Sequence, residues 1–179
     1  MKVIFLDIDG VLNSVDYMNV LHMLKHGVGD KSVETTDRHG QLFDPRCVKF
    51  LDYIVQMTGA KIVITSTWRR AGLKAMQDLW DERDLPGEVI AVTCFSYEVD
   101  GEIIDRNPYR GRQGVCRGHE IQQWLNDNKL DSYVILDDDS DMLPDQHFVK
   151  CNGRYGIDYH VAKAAINYLN FETDGSTQQ

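Results

Sequence analysis

A chain of 179 residues with 42% hydrophobic and 26% charged residues is long enough to bury a core without disulfide staples and has the composition of an ordinary globular domain. Its net charge of −9 sets the whole-molecule field against polyanions, which disfavours long nucleic acid or an anionic membrane as a diffuse partner, although a local basic patch can still hold a phosphate. No apolar run approaches the roughly 20 residues that a bilayer span requires, and Cys47, Cys94, Cys116 and Cys151 form neither a C-x-x-C pair nor a zinc-spaced set with histidine. Scattered thiols, in a chain that opens directly on an apolar run, predict a cytoplasmic protein with no membrane attachment.

The first predicted element is the run VIFL at 3–6, which ends on Asp7-Ile8-Asp9-Gly10. Residues 14–43 follow as a polar, mixed insertion that breaks the rhythm of the chain and carries His22, His26 and His39, read as surface residues. A helix is expected next, with Asp44 as N-cap, Pro45 at its first position and Gly59 as its stop. Its predicted buried side is Val48, Leu51, Tyr53, Ile54, Val55 and Met57.

The strand KIVIT at 61–65, a helix over 70–83 and the strand VIAVT at 89–93 come next. Residues 94–114 form a second insertion, in which Asp100-Gly101 between alternating apolar residues signals a hairpin. A helix over 118–130, the strand YVIL at 133–136, a weaker strand HFVKC at 147–151 and a helix over 158–170 complete the pattern. Short strands apolar on both faces, alternating with helices, predict an α/β Rossmann-like three-layer sandwich. Its central sheet is mainly parallel and has about five strands. Residues 1–171 are read as one domain, and 172–179 as a disordered tail.

The strand ends carry the chemistry. In a parallel sheet they share one edge, so Asp7 and Asp9, Thr65 and Ser66, Arg69 and Arg70, and the run Asp137-Asp138-Asp139-Ser140-Asp141 can converge there. Two carboxylates one residue apart repel each other and are costly to bury unless a cation offsets them. A mixed carboxylate site of this kind suits Mg²⁺, whereas DDDSDM lacks the glycine and closing glutamate of an EF-hand calcium loop. With the repulsion screened, Asp7 can attack phosphorus, Asp9 can protonate the leaving oxygen and then activate water, and Thr65 and Ser66 can hold phosphoryl oxygens. Arg69, Arg70 and Arg112 are candidates for a terminal phosphate. The acidic run taken alone has an equally simple reading as a polar loop of N-capping aspartates, and Trp68 reads as packing.

The set DIDGVLN, VITSTWR, an arginine ahead of a helix and VILDDDSDM, in this order across nearly the whole chain, resembles the haloacid dehalogenase-like (HAD) superfamily of aspartate-nucleophile phosphohydrolases. STWR together with RGHEIQQWL and LDDDSDM is similar, more narrowly, to the small HAD domains associated with RNA-repair systems. The resemblance implies Asp7 as nucleophile and Asp9 as general acid/base, with the Asp9 backbone carbonyl also on Mg²⁺. It implies Thr65 as the second-motif hydroxyl with Ser66 as a close rival, Gly10 beside the substrate, Asp138 as a metal ligand and Asp137 as its neighbour on a metal-bound water. Arg117 is the preferred third-motif cation, and Arg112 and Lys129 are the alternatives. Val11 stands where the superfamily often has threonine, and the 14–43 insertion is shorter than a full cap domain, which implies an open site. The expected activity is a Mg²⁺-dependent phosphomonoesterase acting on a nucleotide or nucleic-acid end. A receiver-like phospho-acceptor module is the competing class, disfavoured because KIVIT ends without an aspartate; a catalytically silent phosphate-binding module is another.

Overall fold

The computed structural model describes residues 1–27, 32, 34–99, 101–105 and 117–170. Arg112, Cys116, Asp100 and the tail at 172–179 therefore lie outside the described residues, as does the second half of the 94–114 insertion. Five strands form one parallel sheet: β1 (Lys2–Leu6), β4 (Lys61–Ile64), β5 (Val89–Val92), β8 (Ser132–Asp137) and β9 (Phe148–Lys150), in the order β5-β4-β1-β8-β9. Leu6 is in register with both Ile64 and Leu136, so β1, β4 and β8 end side by side.

Strand β1 is central, and its alternate residues feed two cores. Ile4 and Leu6 face α2 (Pro45–Thr58), α3 (Leu73–Glu82) and α5 (Tyr159–Asn170), which bury Leu51, Leu79 and Ala165 there. Val3 and Phe5 face α4 (Arg117–Asp127), where Ile121 is fully buried and Trp124 meets the Phe5 ring edge-on at 5.3 Å. This is the three-layer α/β arrangement expected from strands that are apolar on both faces.

Helix α2 starts and stops as predicted. The Asp44 carboxylate accepts the Arg46 amide at 2.9 Å, Pro45 opens the helix, and Gly59 closes it in the left-handed conformation at φ 66°. Its buried side differs from the prediction. Cys47, Leu51 and Ile54 point inward, while Tyr53 and Met57 are exposed at 43% and 52%. The i, i+4, i+7 stripe sets the buried face, and Tyr53 and Met57 lie outside it.

The first insertion contains an unanticipated helix, α1 (Val15–Lys25), whose apolar residues gather on no single face and whose one buried residue is Leu21. Ser14 caps it by accepting from the Tyr17 amide at 3.2 Å and donates its hydroxyl proton to Asp44 at 2.7 Å. The Val15 and Asp16 amides, unpaired within the first turn of any helix, donate to Gly153 O and Arg154 O. A two-stranded strap follows, β2 (Thr36–Asp37) with β3 (Gly40–Gln41). The second insertion bears the predicted hairpin, β6 (Ser96–Val99) antiparallel to β7 (Glu102–Asp105).

Arg69 has a different role from the one expected. It lies in the 3₁₀ turn Thr67–Ala71 after β4 and is 2% exposed. Its guanidinium donates to Thr93 O at 2.8 Å, Ser66 O at 2.8 Å, Cys94 O at 3.3 Å and also to Thr65 O, and pairs with Glu120 of α4 at 2.7 Å. A cation so fully engaged with the carbonyls that end β4 and β5 is not offered to a substrate phosphate. It ties two strand ends to the first turn of α4. Deleting one member of a buried pair leaves the other charge uncompensated, at a cost of about 3–5 kcal/mol. Arg69→Met and Glu120→Leu are each expected to destabilise by about that much in urea unfolding. The double substitution is expected to cost clearly less than their sum.

Candidate active site

Asp7 is the first residue after β1. Its amide donates to Leu136 O at 3.0 Å, and beside it the Thr65 amide donates to Leu6 O at 2.9 Å, so both residues are fixed by the sheet itself. Asp7 is 6% exposed, and its carboxylate accepts from Arg117 Nη1 at 2.7 Å. The same nitrogen donates to Asp137 at 2.6 Å. One guanidinium thus bridges the ends of β1 and β8. Of the three third-motif candidates, Arg117 is brought to the site. Lys129 is exposed beyond the end of α4, and Arg112 lies outside the described residues.

The position of Arg117 follows from how the acidic loop grips α4. Asp141 accepts the Arg117 amide on its carboxylate and the Gly118 amide on its carbonyl, both at 3.0 Å, satisfying the start of the helix. Gln146 spans the same junction, donating to Gly118 O at 2.7 Å and accepting the Leu143 amide at 3.0 Å. A side chain at Gly118 would begin 2.5 Å from the Leu143 nitrogen, so glycine is what lets loop and helix touch. The acidic run therefore divides its labour: Asp141 caps a helix, while Asp137 and Asp138 face the site.

Asp7, Asp137 and Asp138 each offer an oxygen within 4.8 Å of the others. Asp138 is admitted by two glycines. A first side-chain carbon on Gly10, which sits at φ 77°, would fall 2.3 Å from the Asp138 carboxylate, and one on Gly153 would fall 2.5 Å from it. Gly10 was expected beside the substrate; its amide is instead taken by Asn13 O at 2.9 Å, and its contribution is the space it leaves. Asp9 keeps its carboxylate outside the cluster, exposed to solvent.

Three carboxylates face one guanidinium, and burial leaves the excess negative charge poorly solvated. Burial raises the Asp7 carboxyl above its ordinary value, with Arg117 opposing. It pushes Asp137 up to about 7, again against Arg117 and with Asp7 adding to the rise. Asp138 is raised by burial and by the Asp7 charge. Clustered carboxylate oxygens whose proton affinity is raised for want of positive charge are a donor set suited to a hard divalent cation. Arg117 stays charged: burial works against it, but Asp7 and Asp137 outweigh burial and raise its pKa.

The hydroxyls of the second motif are both buried. Thr65 Oγ1 and Arg117 Nε have no hydrogen-bond partner among the described residues, so each has a donor to spare. Ser66 accepts the Trp68 amide at 3.5 Å and acts on Asp7 as a hydrogen-bonding neighbour. Sequence reasoning missed Glu120, Gly118, Asn13 and the polar end of Trp68, whose indole donates to Asp9 at 3.0 Å. A glutamate three residues beyond Arg117 on the same helix face was the available signal for Glu120. A cavity of about 750 Å³ lies elsewhere, beside the start of β8 between Tyr133, His147 and Tyr168, and no candidate residue lines it.

A parallel sheet whose adjacent strand ends supply an aspartate, a hydroxyl pair and an acidic loop, bridged by an arginine from the next helix, defines a HAD-type domain. The family model described as the HAD domain in Swiss Army Knife RNA repair proteins matches residues 3–161, and the chain belongs to that family. No curated protein and no solved structure matches the chain significantly. HAD domains are typically hydrolases of phosphate esters and usually use Mg²⁺. No helix among the described residues is long and apolar enough to cross a membrane.

Because the Asp137 carboxyl holds its proton up to about pH 7, a divalent cation must displace that proton to bind below this pH. Titration calorimetry is expected to show proton release on cation uptake at pH 6 and little at pH 8.5. The cation should raise the thermal midpoint of the wild type far more than that of Asp138→Asn.

Proposed function

We propose that the chain is a Mg²⁺-dependent phosphomonoester hydrolase that works through an aspartyl phosphate on Asp7, with the terminal phosphate of a nucleotide or nucleic-acid end as substrate. The observation that carries this reading is the Arg117 bridge: a strand-end aspartate held 2.7 Å from a guanidinium that also binds Asp137 at 2.6 Å, in a cluster with Asp138. Asp7, Asp137 and Asp138, with the Asp9 carbonyl, would hold Mg²⁺. When bound, the ion screens the carboxylates from the incoming dianion and stabilises charge on the transferring group.

The rest belongs to the side chains. The Asp7 oxygen attacks phosphorus as the ester P–O bond breaks, and Asp9 delivers its proton to the departing alkoxide. Arg117, Thr65 and Ser66 provide donors to the phosphoryl oxygens. Asp9, now ionised, takes a proton from water as the water oxygen attacks phosphorus. Asp7 leaves as a carboxylate, and inorganic phosphate departs. The family's association with RNA repair proteins favours a polynucleotide or nucleotide end. The −9 charge favours contact with the end rather than with a long strand.

Phosphate release from an aryl phosphate is expected with Mg²⁺ and not with a chelator. Asp7→Asn, which keeps the shape of the side chain and removes the nucleophile, is expected to reduce turnover about 10³-fold or more. A panel of nucleotides and oligonucleotides phosphorylated at either end then identifies the substrate. Turnover that survives in Asp7→Asn would falsify the covalent route.

A further inference from the structure

Asp9 differs from its partners in the proposed machinery. Its carboxylate stands in solvent, where two free torsions would let it sample many directions, yet both oxygens are held. Oδ2 accepts the indole N–H of Trp68 at 3.0 Å, and Oδ1 accepts from Nδ2 of the Asn13 side chain at 3.3 Å. Asn13 belongs to the same turn as Asp9, but Trp68 comes from the end of a different strand. An indole whose only duty is packing has no need to aim its single donor at a carboxylate.

The indole is itself fixed. Phe43 meets it edge-on at 5.5 Å, the Arg83 guanidinium lies 6.0 Å from its ring, and Gly40 of the strap lies beside it, where a first side-chain carbon would make ordinary contact with the ring at 3.8 Å. The strap is latched in turn to α3 and the residue after it. Asp37 accepts two hydrogen bonds from Arg83, both at 2.8 Å, and His39 meets Glu82 at 2.9 Å. The first insertion thus reaches Asp9 through Trp68.

From this we infer that Trp68 is a positioning residue for the proposed reaction: it aims the Asp9 carboxyl so that the proton is delivered to the leaving oxygen. The inference rests on the phosphohydrolase reading above. Each Asp9 oxygen keeps a second lone pair after accepting its hydrogen bond, so the proton has a place to sit. Misaiming an acid by about 1 Å is enough to cost up to about 10²-fold in rate.

Trp68→Phe retains a ring against Phe43 and removes only the donor. The measurement is kcat/KM, which covers steps through departure of the leaving group, on an alkyl phosphate and on p-nitrophenyl phosphate. The alkoxide needs the proton; nitrophenolate leaves without it. Trp68→Phe is expected to lower kcat/KM about 10- to 100-fold on the alkyl ester and less than about 3-fold on the aryl ester. Asp9→Asn should show the same bias more strongly, and the double substitution should be no worse than Asp9→Asn alone. Independently of how well the Trp68 variant folds, Asp9→Ala is expected to move the Trp68 indole N–H resonance in nitrogen-edited NMR spectra. Equal losses on both esters, additivity with Asp9→Asn, or an unmoved resonance would each overturn the inference. A wild type that turns over neither ester would remove the phosphohydrolase reading and this inference with it, whereas an active wild type that fails the comparison removes this inference alone.

Discussion

Holding two buried carboxylates, Asp7 and Asp137, beside a half-buried third, Asp138, is the constraint on which the rest of this structure depends. Asp7 and Asp137 end adjacent strands because β1 and β8 run parallel and in register, so the sheet itself creates the repulsion. Arg117 relieves part of it by bridging both groups. Arg117 can do so only if the start of α4 is fixed to within a hydrogen bond, and two sets of contacts secure that. Asp141 and Gln146 join the helix to the loop after β8, and the buried Arg69–Glu120 pair joins it to the ends of β4 and β5. Every strand end at the site is thereby tied to one helical turn. The charge left over after Arg117 is what makes the cluster a natural home for a cation.

Much of this architecture was legible because it rests on local patterns. The apolar runs marked all five parallel strands, Asp44-Pro45 and Gly59 marked both ends of α2, and the Asp100-Gly101 signal marked the hairpin formed by β6 and β7. Helix α1 was not legible. It buries only Leu21 and is anchored by its first amides to Gly153 and Arg154, contacts distant in sequence. A helix held by its end rather than by an apolar stripe leaves no periodicity to read.

The site followed the same division. Which strand ends converge was deducible from parallel topology, and the structure places Asp7, Thr65, Ser66, Arg117, Asp137 and Asp138 together. What each polar residue spends its hydrogen bonds on was not deducible. Arg69 resembled a phosphate ligand because it follows the hydroxyl pair; its burial among four carbonyls depends on Thr93 and Cys94, more than twenty residues away. The acidic run admitted a capping reading and a metal reading, and the structure separates the residues concerned: Asp141 caps the helix, while Asp138 lies in the carboxylate cluster that could hold a cation. Identical side chains in one loop were separated only by where the backbone pointed them.

The rooting of the first insertion has a consequence for how traffic through the site is controlled. Its leading end is tied down by Ser14 on Asp44 and by the Val15 and Asp16 amides on the 153–154 loop. At its trailing end, Phe43 is buried and the Asp44 amide donates to Leu12 O. A segment clamped at both ends cannot turn as a rigid body on hinges placed there. In the proposed reaction, any movement of this insertion over the site would have to arise between its two anchors and not at them.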